Sequence, residues 1–337
     1  MKEPLIIGDD HVHPGTQKTI YFSTPKLYDW TPMVLPIHII NGQEPGPCLC
    51  VTAAIHGDEL NGVEIIRRLL KKTELHAIKG SLIAVPIVNV YGFLHHERYL
   101  LDRRDLNRSF PGSPQGSLAS RLAHIISSQI LCHATYVIDL HTGSNHRYNF
   151  PQIRANLDLP GLEDLAKAFN VPVVLHSVFR DGSMREYANA QGIPFLVYEG
   201  GEALRFDELS IRVGLNGILS AMTALEMFPK GIFQIKKYNP TIARTSYWLR
   251  APMSGILRPI KKAGQRVTKA QTIAIIANPT TTEEYELKSP LSGIIIGECN
   301  LPLIHAGQAL FHIASFKKLS RAVENIQEVF NDNDEEI

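Results

Sequence analysis

Short apolar runs alternate with longer stretches of helical period through the first two thirds of the chain. Between residue 48 and about residue 200 the runs are CLCVTAAI (48–55), SLIAVPIV (81–88), TYVIDL (135–140), VPVVL (171–175) and IPFLVY (193–198). They are rich in Val and Ile and do not alternate cleanly between apolar and polar positions. Strands covered on both faces have this pattern. Between them, LNGVEIIRRLLKK (60–72) and SLASRLAHIISSQIL (117–131) carry apolar residues at helical spacing. The pattern predicts an α/β unit, a mixed sheet sandwiched by helices. RRLLKK, Arg67 to Lys72, reads as the polar edge and end of the first helix, where cations suit the helix dipole.

The character changes after about Ala243. From APMSGILRPI (251–260) onward the chain gives short strands, glycine turns and few helix signals. There is an internal echo: residues 251–277 and 289–314 each read Pro-x-Ser-Gly-Ile, then Ala-Gly-Gln, then a β-rich run. Two similar β units in succession predict a small symmetric all-β domain. This stretch resembles the barrel-sandwich fold of lipoyl and biotinyl carrier domains. Those carriers hold a lysine on the hairpin tip, whereas the tip here, NPTTTEEYELK, has only Lys288, too close to the next strand. The shape is therefore expected without the modification. The tail reads as one amphipathic helix with an acidic, frayed end. The expected division is residues 1–244 for a catalytic domain and 245–337 for the β domain with its helix and tail.

Composition narrows the function classes. At 337 residues and 44% hydrophobic content the chain can bury a large core. A formal charge of +1 gives no strong pull toward nucleic acid or an anionic membrane, and neither partner is expected. No run of about 18 apolar residues is present, so no membrane span is expected. The N-terminus lacks a secretory pattern. Cys48, Cys50, Cys132 and Cys299 form no CxxC pair and read as small buried hydrophobes in a reducing compartment. A cytoplasmic protein is expected.

Candidate chemistry gathers where the apolar runs stop. His56 follows the first run, and Glu59 comes three residues later in HGDE. His141 ends VIDLH, and Glu199 ends FLVYE. The loop RYLLDRRDLNRSFPG (98–112) follows the run ending near Asn89. Ligands of open α/β sheets bind beyond the carboxyl ends of strands, so ends at His56, Asn89, His141 and Glu199 would ring one mouth. Two histidines and a glutamate are the ligand set of catalytic zinc with one position left for water. Zinc lowers the pKa of that water toward about 7 and polarises a carbonyl. A hydrolase also needs a base, for which Glu199 is placed, and a cation for the oxyanion, which the arginine-rich loop offers. One HxxE pair among 14 histidines and 33 acids is weak by itself. Alone, His141 reads equally as a core histidine and Glu199 as a helix cap. Their common position at strand ends is the stronger signal. His11-Val12-His13 is a rival metal pair without downstream ligands, and His95-His96 read as a solvated loop.

Taken together, HGDE, RYLLDRRDLNRSFPG, DLHTG and YEGGE resemble the succinylglutamate desuccinylase/aspartoacylase family of the zinc carboxypeptidase clan, over residues 48–202. The β domain is similar to the C-terminal domain of many bacterial members. The resemblance implies one zinc ion per chain on His56, Glu59 and His141, with Glu199 as general acid/base. It implies that Arg98 polarises the scissile carbonyl, with Arg103 and Arg104 as nearby competitors. Asn107 and Arg108 take the place of the pair gripping a substrate carboxylate, a contact that suits a planar guanidinium. Arg185 resembles a further substrate-anion contact, against the plain reading of a surface arginine. Asp105 resembles the acid that orients a ligand histidine, here His56. The implied reaction is hydrolysis of the linear amide of a small N-acyl amino acid; the alternative is a carboxypeptidase acting on small peptides. The β domain has two open roles, closing over the mouth or forming a homo-oligomer.

Overall fold

The computed structural model describes residues 2–334; the last three residues of the acidic end expected to fray lie outside the described residues. A small hairpin of β1 (Leu5–Ile7) and β2 (Asp10–Val12) precedes the main sheet. That sheet is built from β3 (Thr16–Thr24), β4 (Met33–Asn41), β5 (Glu44–Ala53), β6 (Lys79–Val85), β7 (Tyr136–Gly143), β8 (Arg147–Ala155) and β10 (Phe195–Glu202), with the short strands β9 (Val173–His176) and β11 (Thr241–Ala243) beyond β8. Its order is β8-β10-β7-β5-β6-β4-β3. The four central strands β10, β7, β5 and β6 are parallel, whereas β8 runs antiparallel to β10 but parallel to β9, and the β3–β4 edge is antiparallel. The sheet is therefore mixed, as the apolar runs predict.

Burial explains those runs. In β5, Leu49, Val51 and Ala53 enter one core while Cys50 enters the other; in β6, Leu82 and Ala84 separate in the same way from Ile83 and Val85. Both faces are buried, so polar alternation has no place to appear. Ile65 and Ile66 of α1 (Asn61–Leu69), Leu165 of α4 (Leu162–Ala168) and Ile211 and Met222 of α6 (Glu208–Ala224) cover one face. Leu122 of α3 (Leu118–Ile125) and Met184 of α5 (Met184–Ala190) cover the other, on the side where α2 (Val90–His95) lies. Each fully buried Leu or Ile contributes roughly 1.5–3 kcal/mol.

Several expected boundaries move. The run 81–88 stops as a strand at Val85, because Pro86 has no N–H to give the ladder. Asn89 is therefore not a strand end; its side chain accepts from the Gly92 N–H and caps α2. His141 and Glu199 lie within β7 and β10 rather than at their ends. The helical stretch 117–131 is α-helical to Ile125, widens over Ile126–Ile130 and tightens over Leu131–His133. His11 and His13 are exposed, and His95 and His96 end α2 in solvent. All four cysteines are free, but Cys132 is exposed and Cys48 only partly buried.

The C-terminal β region shows how its repeat works. β13 (Gly255–Pro259), β14 (Arg266–Val267) and β15 (Thr272–Ala277) come from the first repeat, and β17 (Gly293–Cys299), β18 (Leu303–Ile304) and β19 (Ala309–Ser315) from the second. Each short strand pairs with the other repeat: β14 with β17, and β18 with β13. β16 (Glu284–Lys288) completes a four-stranded sheet, and β12 (Thr245–Arg250) pairs with β19 in the large one. Lys288 is exposed beside Glu286 at 3.4 Å. The tail helix is α7 (Leu319–Asp334). β17 also pairs with β8, through Gly297 with Asn149 and Cys299 with Arg147. One hydrogen-bonded sheet thus runs from the α/β unit into the β region. Among the described residues no helix is long and apolar enough to cross a membrane.

Candidate metal centre

The turn after β5 builds the centre. Ala54 is left-handed at φ 50°, and the N–H groups of Val88 and Asn89 donate to the carbonyls of Ala53 and Ala54. Gly57 follows His56, and a Cβ there would sit 2.0 Å from the Gly92 carbonyl carbon, so only glycine lets the turn pass α2. The turn delivers His56 and Glu59 inward. Asn61, at the head of α1, donates to the Gly200 carbonyl and accepts from the Asp207 N–H, which locks α1 to the loop after Glu199.

His141 arrives from β7. Its Nδ1 lies 2.8 Å from Glu59 Oε2, and Nδ1 of His56 lies 2.8 Å from Glu59 Oε1. One ligand atom from each of the three residues lies within 4.8 Å of the others, and all three residues are buried. The Nε2 atoms face carboxylates: Asp105 Oδ1 at 3.2 Å for His56 and Asp139 Oδ2 at 2.7 Å for His141. Each ring thus turns Nε2 to an orienting carboxylate and Nδ1 to Glu59; a neutral ring that donates through Nε2 would leave Nδ1 to the ligand side. Asp139 is itself held by the Thr52 hydroxyl at 2.6 Å.

The charges fit a divalent cation. Burial pushes both imidazoles down, but Glu59 with Asp105 for His56, and Asp139 with Glu59 for His141, outweigh it, and the net direction of each is up. Burial pushes Glu59 up, yet the two imidazoles overcome it and hold its carboxyl well below the usual range. Three carboxylates and one arginine surround two imidazoles; with neutral rings, negative charge is in excess. The field that draws protons onto the rings is the field a bound cation would answer.

The remaining predicted residues gather round a cavity of about 420 Å³ that the ligands line. Glu199 stands directly across from His141 in the parallel register of β10 and β7. Asn149 Nδ2 donates to Glu199 Oε2 at 2.6 Å, and Arg154 Nη1 lies 3.5 Å from Oε1. Arg98 is 2.9 Å from Asp105 and 3.6 Å from Glu59. Arg103 and Arg104 do not line the cavity. Asn107 and Arg108 do, and Asn107 Oδ1 accepts from the Met184 N–H, leaving the amide NH₂ with hydrogens to offer. Arg185 is no surface arginine: it is 8% exposed, donates to Val178 O at 2.6 Å, and leaves Nη1 without a partner. Burial, then the Arg154 charge, pushes its pKa down to about 10.

Sequence reasoning missed Asp139, Asn149 and Arg154. Asp139 was legible: two residues before His141 in a strand, it shares the same face. Asn149 and Arg154 carried no such signal, because the pairing of β8 with β10 places them.

A family model for the succinylglutamate desuccinylase/aspartoacylase catalytic domain matches residues 45–225. This chain belongs to that family. It is an amidohydrolase of the deacylase class. Among curated relatives, the N-alpha-acetyl-L-2,4-diaminobutyric acid deacetylase of Halomonas elongata is 24% identical over 267 residues, covering 74% of this chain and 76% of that protein. Solved structures agree on the fold. A succinylglutamate desuccinylase/aspartoacylase from Rhodobacter sphaeroides has a TM-score of 0.80 at 24% identity, covering 89% of this chain and 96% of that one. The product-bound ectoine utilization protein EutE (DoeB) from Ruegeria pomeroyi has a TM-score of 0.82 at 22% identity, covering 93% and 99%.

Proposed function

We propose that the protein is a zinc-dependent hydrolase that splits the amide of a small N-acyl amino acid into a carboxylate and a free amino acid. The observation that carries this reading is the β7–β10 register, which sets Glu199 beside His141 at the mouth of the three-ligand cluster. Zinc, held by His56, Glu59 and His141, would supply a Lewis acid for the acyl carbonyl and lower the pKa of water toward about 7.

The chain's own residues do the rest. Glu199, oriented by Asn149 and Arg154, takes the proton of the attacking water and returns it to the leaving nitrogen. Arg98, anchored on Asp105, faces the developing oxyanion. Arg108 and the Asn107 amide grip the substrate carboxylate, and Arg185 offers its unpartnered Nη1 as a further anion contact. Asp105 and Asp139 fix the two imidazoles. Such positioning makes the attack effectively intramolecular. The Halomonas relative, by its name a deacetylase of an acylated amino acid, has an activity of this class. A cavity of about 420 Å³ with β12 in its wall suits a small acylated amino acid better than a peptide.

Metal analysis with a Glu199→Gln variant tests the reading. The variant should keep stoichiometric zinc and lose turnover by roughly 10²–10⁴-fold. Near wild-type rates in that variant would remove Glu199 from the mechanism.

A further inference from the structure

A second cavity opens where β11, β12 and β19 meet the head of α7. It measures about 770 Å³, against about 420 Å³ at the metal centre, and shares no lining residue with it. Its frame is firm. Ile242 of β11 packs against the main core, and Phe316, just past β19, is buried in it with Ala322, Ile326 and Val329 of α7. Asn325 of α7 is buried and donates to the Asn239 carbonyl and, at 2.9 Å, to the Thr241 hydroxyl. Thr245 and Ser315, paired at one end of the β12–β19 ladder, line this cavity. Trp248, stacked on His312, and Arg250 bring the other end of the ladder to the metal-centre cavity.

The charge of the second cavity is one-sided. Lys167, Arg244, Lys317, Lys318 and Arg321 line it, and among the described residues Glu163 is the one lining carboxylate. Glu163 is already taken: Lys167 lies 2.8 Å from one of its oxygens and Arg244 2.8 Å from the other. Lys317, Lys318 and Arg321 have no carboxylate at ion-pair distance among the described residues. They gather at the head of α7, whose first turn holds no acid. That end of a helix carries partial positive charge and favours anions, so three cations there oppose the dipole as well as one another. An anion in the cavity would relieve both repulsions.

The kind of anion follows from the count. A carboxylate brings one charge on two oxygens and would answer one of the three cations. A phosphate monoester brings about −1.5 to −2 charge at neutral pH and three acceptor oxygens, and lysine and arginine are its common partners. Ile242 and Phe316 give an apolar wall for the organic part, and the volume lies in the range of small-molecule sites. We propose that this cavity binds a small phosphate monoester, its phosphate held by Lys317, Lys318 and Arg321 and its organic part laid against Ile242 and Phe316. This ligand is separate from the hydrolysed substrate.

Calorimetric titration of the full chain with phenyl phosphate, inorganic phosphate and benzoate tests the assignment. Phenyl phosphate should bind saturably with a Kd below about 1 mM. It should bind about tenfold or more tighter than benzoate, which has the ring without the second charge. Inorganic phosphate, lacking the ring, should bind more weakly than phenyl phosphate. Arg321→Gln and the double variant Lys317→Gln/Lys318→Gln should each weaken phenyl phosphate about tenfold. All three side chains are exposed, so both variants should fold. Arg108→Gln, in the metal-centre cavity, should leave that affinity unchanged. No saturable binding of phenyl phosphate, or binding of benzoate or inorganic phosphate as tight as its own, overturns the assignment. So does a loss confined to Arg108→Gln, which would move the phosphate to the metal-centre cavity.

Discussion

His141 and His312 are equally hidden from solvent, at 6% and 3% exposure, and behave in opposite ways. His141 sits between Asp139 and Glu59, and its imidazole is driven up. His312 lies beneath Trp248 with the Arg154 charge nearby; burial first, then that charge, pushes it down to about 2. Its Nδ1 has no partner among the described residues. Burial alone therefore says nothing about whether a histidine can serve a cation. The acids around it decide, and in this molecule those acids cluster at one end of β5 and β7. The same cavity is also lined by Arg147 and Arg154 of β8 and Arg250 of β12, which carry charge of the other sign.

The contrast can be broken in graded steps. The largest effect belongs to Glu59→Gln, which removes a ligand and the charge both imidazoles share. Bound zinc should fall to a small fraction of the wild-type content by elemental analysis, and an unchanged content would dissolve the centre. A middle effect belongs to Asp105→Asn and Asp139→Asn, which leave all three ligands but loosen the rings. Zinc affinity from chelator competition should drop about 10–100-fold in each. Equal affinity would mean that these carboxylates do no orienting.

The smallest effect concerns acid stability at His312. A folded-state pKa below the unfolded value means that the unfolded chain binds the extra proton, so stability is lost as pH falls from about 6.5 toward about 2. Between about pH 7 and pH 5 the wild type should lose about 2 kcal/mol more than His312→Phe, read from urea midpoints at each pH. Parallel losses in the two proteins would show that His312 is not held neutral by its surroundings.

Much of the α/β frame was readable from residue order. Strands buried on both faces declare themselves as continuous apolar runs, and all five runs became strands. The β3–β4 hairpin did not declare itself, because β3 is a half-exposed edge strand with polar residues interleaved. α6 escaped for the reverse reason: Ile211, Val213, Ile218 and Met222 are buried on several sides, leaving no single stripe. In the site, His56 and Glu59 were legible because one turn supplies both. Arg185 was ambiguous until the phase of α5 buried it.

The sequence by itself determined which short segments end in groups able to hold a metal, since a strand-to-helix turn and a strand's alternation are local matters of backbone geometry. It also determined the repeat of the β region, because each copy carries its own turns. Only the tertiary structure decided that Glu199 stands opposite His141, and that Arg147, Trp248 and Arg250 share the cavity with them. Those neighbours are joined by pairings between distant strands, β7 with β10 and β8 with β17. Such register is set by what the whole sheet buries on its two faces, and no local stretch of residues contains that information.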